Sequence, residues 1–363
     1  MSIHFNRIFL GLLAAGLLLS ACEKQVEPFS GTFPVRNSST SSSSRVPADP
    51  IPGEDPDPGP DPSAFPTLIS VLDRKIAEYN KSETIPTNHV FICAHRANTA
   101  YGIANEIPEN SIWAIETAIE KGADMVELDV AVTSDGVLMI MHDDYLKNTT
   151  DGTGYIYNKT AGEVKSMRMH ARNKTSYKQH DGDYVRVPTL EEALAACRDK
   201  IYVNLDMKGR NFPIADVMNA IEKTGMFGQV MIFGNGGGDM EKKDYIRKAF
   251  SEFKKQLAVH PFINQASDIR DYLVKSYNGC AKLFQYDTGI YYNPGEGQER
   301  FGYQCHAWGG LSYSNSLDYD SQIAGWSSGS CTVLDKFIAS GSDFVQTDYC
   351  EKADAYLKTK NLR

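Results

Sequence analysis

The chain of 363 residues is short of several things, and each shortage excludes a class of function. Its seven cysteines include no CxxC pair, which argues against a zinc site. Positive charge is not in surplus: 37 Lys and Arg stand against 46 Asp and Glu, for a net charge of −9. That balance argues against nucleic acid as a partner, because phosphate-backbone binding needs clustered Lys and Arg. The apolar run from Ile8 to Leu19 falls far short of the roughly 20 residues that span a bilayer. No long internal repeat is visible, and nothing implies a protein partner.

That apolar run follows a basic residue, Arg7, and ends in the small-residue stop Leu19-Ser20-Ala21-Cys22. The pattern predicts a cleaved signal peptide over residues 1–21. Its ending is similar to the lipobox of bacterial lipoproteins, which implies that Cys22 carries the lipid of a mature protein held at a membrane of the bacterial cell envelope. Residues 22–66 then change composition, with Ser38 to Ser44 almost all serine and Asp49 to Pro62 rich in Pro, Asp and Gly. Such a stretch cannot bury enough apolar surface to offset its ordering entropy, so it reads as a disordered tether, flexible in its Ser part and stiffer in its Pro part.

Residues 67–363 are long enough for a sizeable core and read as one domain. Strands are expected at Val90 to Ala94, Met125 to Val132, Val137 to Met141, Ile201 to Asp206 and Val230 to Phe233. Helices are expected at Asn110 to Lys121, Thr189 to Cys197 and Pro213 to Lys223. This alternation predicts a parallel α/β architecture, and the length suits a (β/α)8 TIM barrel. Leu257 to Ile263, Ala281 to Tyr286 and Ala307 to Tyr313 are three candidates for two places before a final strand at Phe344 to Thr347, so one of them is expected at an edge or in an insertion. Cys280, Cys305, Cys331 and Cys350 crowd the last part of the chain, and in an oxidising compartment some of them could pair. Cys93, inside an apolar strand, reads as a buried thiol.

The chemistry concentrates at strand ends. In a strand, residues i and i+2 share a face, so Glu127 and Asp129 project together while Val126, Leu128 and Val130 pack the other way. Asp206 and Lys208 repeat that arrangement after the Ile201 strand. Three carboxylates beside a fixed ammonium suit one hard divalent cation, Mg²⁺ or Ca²⁺, and one phosphate. His95 and His142 each follow an apolar strand directly, where a barrel gathers its functional side chains. A lone histidine in such a place more often caps or packs; two of them, joined to three acids and Arg96, suit general acid–base work on phosphorus, with the Arg96 fork matching phosphate oxygens.

His95-Arg96, Pro108-Glu109-Asn110, the run from Gly122 to Val130, Thr133-Ser134-Asp135-Gly136, His142-Asp143 and Thr149 to Gly154 closely resemble the glycerophosphodiester phosphodiesterase family. Val187 to Leu194, Gly341-Ser342-Asp343 and Thr347-Asp348 extend the likeness. The resemblance implies a (β/α)8 barrel of the phospholipase-C-like phosphodiesterase type that uses one divalent cation to hydrolyse a small-molecule glycerophosphodiester to an alcohol and sn-glycerol 3-phosphate. It implies His95 and His142 as the acid/base pair and Glu127, Asp129 and Asp206 as metal ligands. Arg96 and Lys208 would then contact phosphate, with Glu109 and Asn110 lining the site. Three departures stand out: Ala97 where the family usually has Gly, Asp206 where Glu is common, and an aromatic-rich stretch, Asp287 to Val333, expected to be an insertion before the last strand. A phospholipase of the same fold acting on intact lipid headgroups, or a lipoprotein that binds phosphodiesters or glycans without turnover, are the competing readings.

Overall fold

The computed structural model describes residues 64–81, 89–207, 213–234, 239–263, 280–286, 301–307 and 309–363. The signal peptide, Cys22, most of the tether and Lys208 lie outside the described residues. Strand β2 (Met125–Val132) shows how the fold is built. Its outward residues Val126, Leu128 and Val130 are fully buried in the main apolar cluster, among the surrounding helices. Met125, on the opposite face, joins a second cluster that contains Cys93, Tyr202, Met231, Leu283, Leu311 and Phe344 from other strands. A strand buried on both faces, with helices outside and side chains inside, is a barrel stave.

The staves run parallel from β1 (Phe91–Ala94) to β2, then β6 (Tyr202–Met207) and β7 (Val230–Gly234). β7 pairs with β8 (Ala258–Val259), and β9 (Phe262–Ile263) pairs with β10 (Leu283–Tyr286). Only His260 and Pro261 separate β8 from β9. Proline has no N–H to donate, so the ladder lapses there without the strand turning away; the carbonyl of Pro261 still accepts from Gln285. β10 continues to β11 (Leu311–Asn315), β12 (Phe344–Thr347) and back to β1, closing an eight-stave barrel in which β8 and β9 count as one.

The strand count therefore corrects the expectation that one of the three late candidates is surplus. All three are staves, and the strand outside the barrel is β3 (Leu138–Ile140), antiparallel to the far end of β2. β3 looks like a barrel strand because both its faces are covered: Leu138 and Ile140 join the main core, and Met139 joins a third, smaller cluster. That cluster, with Met141, Leu146, Ile156, Val164, Met169, Val185 and Val187, is the core of an insert between β3 and helix α5 (Leu190–Cys197). Within it lie the short strands β4 (Gln179–His180) and β5 (Asp183–Tyr184) and a helix, α4 (Ala161–Ser166).

The aromatic-rich stretch is likewise not an insertion as a whole. Residues 287–300 lie outside the described residues, and the rest supplies a helix (Phe301–Ala307), β11 and a second short helix (Asp320–Gly325). Two of its described aromatics pack against the core: Tyr313 is buried in the barrel, and Trp326 meets Tyr356 edge to face. Among the described cysteines Cys280, Cys305, Cys331 and Cys350, which could pair in an oxidising compartment, are buried free thiols of the main core.

Helix α1 (Leu68–Lys81) seals the N-terminal end of the barrel, with Leu68 and Leu72 fully buried against the inner side chains. Its Lys75 and Tyr79 reach the buried Asp343, which His306 and the main-chain N–H of Ser312 also contact. Among the described residues, no helix is long and apolar enough to cross a membrane.

Candidate active site

Because β2 and β6 pair in parallel with Asp129 opposite Asp206, their inward carboxylates rise from neighbouring staves at the same height. Oxygens of Glu127, Asp129 and Asp206 all lie within 4.8 Å of one another, and all three residues are buried. Three carboxylates desolvated together repel strongly unless donors or a cation hold them. Part of that hold is visible. The main-chain N–H of Arg96 donates to Glu127 Oε2 at 3.0 Å, and Asn110 Nδ2 donates to Asp129 Oδ2 at 2.8 Å. Asn110 Oδ1 also accepts from the N–H of Asp129 at 3.2 Å, so one amide clamps both the strand and the acid.

These donors depend on unusual backbone. Arg96, Ala97 and Asn110 have φ of 52°, 58° and 57°, in the left-handed region. Asn tolerates that region; Ala pays about 1–2 kcal/mol relative to a right-handed geometry. This is the physical reason for a glycine at position 97 in the resembling family, and here the Ala97 methyl is buried in the main core. The turn aims the Arg96 side chain at Glu109 Oε1, 3.0 Å away, with Nε 3.5 Å from Asp129 Oδ2.

Each histidine has an acid behind it. His95 Nδ1 sits 2.8 Å from Asp348 Oδ1, at the end of β12. Burial pushes the Asp348 carboxyl up, but hydrogen bonds from His95 and Asn98 outweigh it and hold it below the ordinary carboxylate range. The N–H of Asp348 in turn donates to the buried Asp320 at 2.7 Å. His142 Nδ1 lies 2.5 Å from Asp143 Oδ1. Desolvation raises the Asp143 carboxyl too, and bonds from Arg172, Asn148 and His142 drive it well below its usual value. An ionised carboxylate can only accept, so in both pairs Nδ1 is the donor and the lone pair of the neutral ring sits on Nε2.

The structure thus gathers His95, Arg96, Glu109, Asn110, Glu127, Asp129, His142 and Asp206 around the C-terminal mouth of the barrel; Lys208 follows the last described residue of β6. Sequence reasoning assigned no role to Asp348, Asp143 or Arg172. The first two stood inside quoted motifs at strand ends, which was a usable signal. Arg172 had none, since its partners Glu109 and Asp143 lie 63 and 29 residues away along the chain.

Residues 95–232 match the model of the Glycerophosphoryl diester phosphodiesterase family. A glycerophosphodiester phosphodiesterase 1 of Bos taurus is 32% identical over 137 residues, which is 38% of this chain and 39% of that protein. A glycerophosphodiester phosphodiesterase of Bacillus subtilis is 32% identical over 130 residues, 35% of this chain and 43% of its own length. The match therefore spans less than half of these curated relatives. In three dimensions, a glycerophosphoryl diester phosphodiesterase from Parabacteroides distasonis superposes with a TM-score of 0.60 at 21% identity, covering 82% of this chain and 94% of that one. A phosphodiesterase from Oleispira antarctica, solved with the product sn-glycerol-3-phosphate, superposes with a TM-score of 0.52 at 18% identity over 74% of this chain and 96% of that one. Structural likeness at these identities bears on the fold, and the fold agrees with the match of residues 95–232, the part of the chain that is similar to the glycerophosphodiester phosphodiesterase family.

Proposed function

We propose that the protein is a metal-dependent phosphodiesterase that hydrolyses glycerophosphodiesters to an alcohol and sn-glycerol 3-phosphate. The observation that carries this reading is the buried cluster of Glu127, Asp129 and Asp206, with a carboxylate-backed histidine on two neighbouring loops. Oxygen–cation distances of about 2.0–2.6 Å place ligands of one ion up to about 5 Å apart, so a 4.8 Å cluster fits a single Mg²⁺ or Ca²⁺. When bound, that ion would neutralise the acids and polarise a phosphate oxygen as a Lewis acid.

The chain's own residues do the rest. Arg96 carries a permanent positive charge to the mouth, where it would bind phosphoryl oxygens and stabilise the charge that develops on them. With Nδ1 committed to Asp348 or Asp143, each imidazole works through Nε2. One ring, neutral, takes the proton of the attacking nucleophile, either water or a glycerol hydroxyl whose cyclic phosphate water then opens. The other, protonated on both nitrogens, gives its Nε2 proton to the departing alcohol, so that one water is consumed overall. Glu109 and Asn110 act on the groups that do this work, Glu109 by orienting Arg96 and Asn110 by fixing Asp129. The product complex of the Oleispira antarctica relative supports glycerol phosphate as the product class.

The domain should release glycerol phosphate from glycerophosphocholine in the presence of Mg²⁺ or Ca²⁺, and should fail with EDTA or after His142→Ala. Turnover that survives both would sink the assignment of the site. Turnover of intact phospholipid in the same panel would make the enzyme a phospholipase, and binding of the diester without any turnover would make it a binding protein. Residues 1–21 and Cys22 further lead us to propose a lipid-anchored protein of the bacterial cell envelope. Radiolabelled palmitate should enter the wild-type chain and be lost in Cys22→Ala; equal labelling of both would exclude the anchor.

A further inference from the structure

Arg172 belongs to none of the motifs at strand ends, yet two parts of the site meet on it. Its Nη2 donates to Glu109 Oε1 at 2.8 Å, its Nε lies 3.3 Å from each Glu109 oxygen, and its Nη1 donates to Asp143 Oδ2 at 2.9 Å. Glu109 Oε1 also accepts from Arg96, and the other oxygen of Asp143 faces His142. One half-buried guanidinium thus ties the arginine after β1 to the histidine after β3 through two carboxylates.

Only a planar fork can do this. One edge of the guanidinium takes Glu109 while the remaining nitrogen takes Asp143, whereas a lysine offers a single charged point. The electrostatics point the same way: Arg96 connects Glu109 to Asp129 of the acid cluster, and Arg172 sets a fixed positive charge against both Glu109 and Asp143. The residue is itself held from behind. Met169 donates to the carbonyl of Val185 and His170 to that of Thr149, and Met169 is buried in the insert's own core. Resting on the reading of His142 as one of the acid/base pair, we propose that Arg172 is a positioning residue. It fixes Asp143 so that His142 keeps its Nε2 lone-pair tautomer, it fixes Glu109 so that Arg96 keeps its aim, and it makes the insert part of the active site.

The test reads the ring directly. In protein labelled with ¹⁵N-histidine, His142 is assigned by comparison with His142→Gln. The wild type should show the Nδ1-protonated tautomer, Arg172→Ala a mixture, and Arg172→Lys an intermediate pattern. Unchanged His142 shifts in a folded Arg172→Ala or Arg172→Lys would overturn the proposal; the lysine variant covers the case in which alanine fails to fold. On glycerophosphocholine, Arg172→Ala should lose about 10- to 100-fold in kcat, as orienting partners typically do. Added guanidinium should recover part of that loss, and turnover within twofold of wild type would also overturn the proposal. An inactive wild type would instead overturn the substrate reading, and the tautomer measurement would still decide the role of Arg172.

Discussion

At the scale of single residues, the site is made of side chains held from two sides. Asp348 illustrates the consequence for pH. Its folded carboxyl is held below the value of about 3.9 typical of an unfolded Asp, by His95 and Asn98 against the opposing effect of burial. A depressed carboxyl contributes stability that is present above the unfolded value and is lost as pH falls through the folded one. Asp348→Asn should therefore lower stability near neutral pH and flatten its decline below about pH 4, as followed by denaturant unfolding at a series of pH values. The same change replaces the charged, accept-only partner that sets the His95 ring by a neutral amide that can also donate to it, and kcat should fall by about 10²–10⁴-fold if His95 transfers a proton. An unaltered acid limb together with full activity would show that the His95–Asp348 contact is incidental.

At the scale of elements, helix boundaries and barrel closure have separate causes. Thr189 and Glu192 form a capping box at the start of α5, each satisfying an N–H of the other's end of the turn. Thr189→Ala should cost about 0.5–2 kcal/mol in chemical unfolding, with little effect on turnover. Leu72 on α1 has a different task, since it fills the sealed end of the barrel. Leu72→Ala should cost about 2–5 kcal/mol, through lost burial and the cavity left behind. The helices after Ser111 and Thr189 and strand β2 were legible in the chain because their causes are local: Ser111 and Thr189 stand at helix starts, and Glu127 and Asp129 alternate with Val126, Leu128 and Val130. β3 was misjudged because two different cores cover its two faces, and alternation cannot distinguish that from a barrel stave.

At the scale of the whole molecule, the cation site couples binding to stability. Glu127 and Asp129 come from β2 and Asp206 from β6, so an ion held by all three would bind the folded barrel and not the unfolded chain. At a hundred times its dissociation constant, such a ligand adds about 2.7 kcal/mol. The thermal midpoint should rise by several degrees with Mg²⁺ or Ca²⁺, return with EDTA and be insensitive to either in Asp129→Asn; a midpoint that ignores the cation in the wild type would remove the site. What the chain determined by itself was everything with a short-range or periodic cause: the parallel α/β rhythm, the strand-end histidines, the paired acids and the likeness to a family. What only the tertiary structure decided was which distant residues meet. β8 and β9 act as one stave across Pro261, Asp348 stands behind His95, and Arg172 joins Glu109 to Asp143. The reason is physical: periodicity and capping act over a few residues, whereas closing a barrel brings together side chains whose separation along the chain carries no trace of their contact.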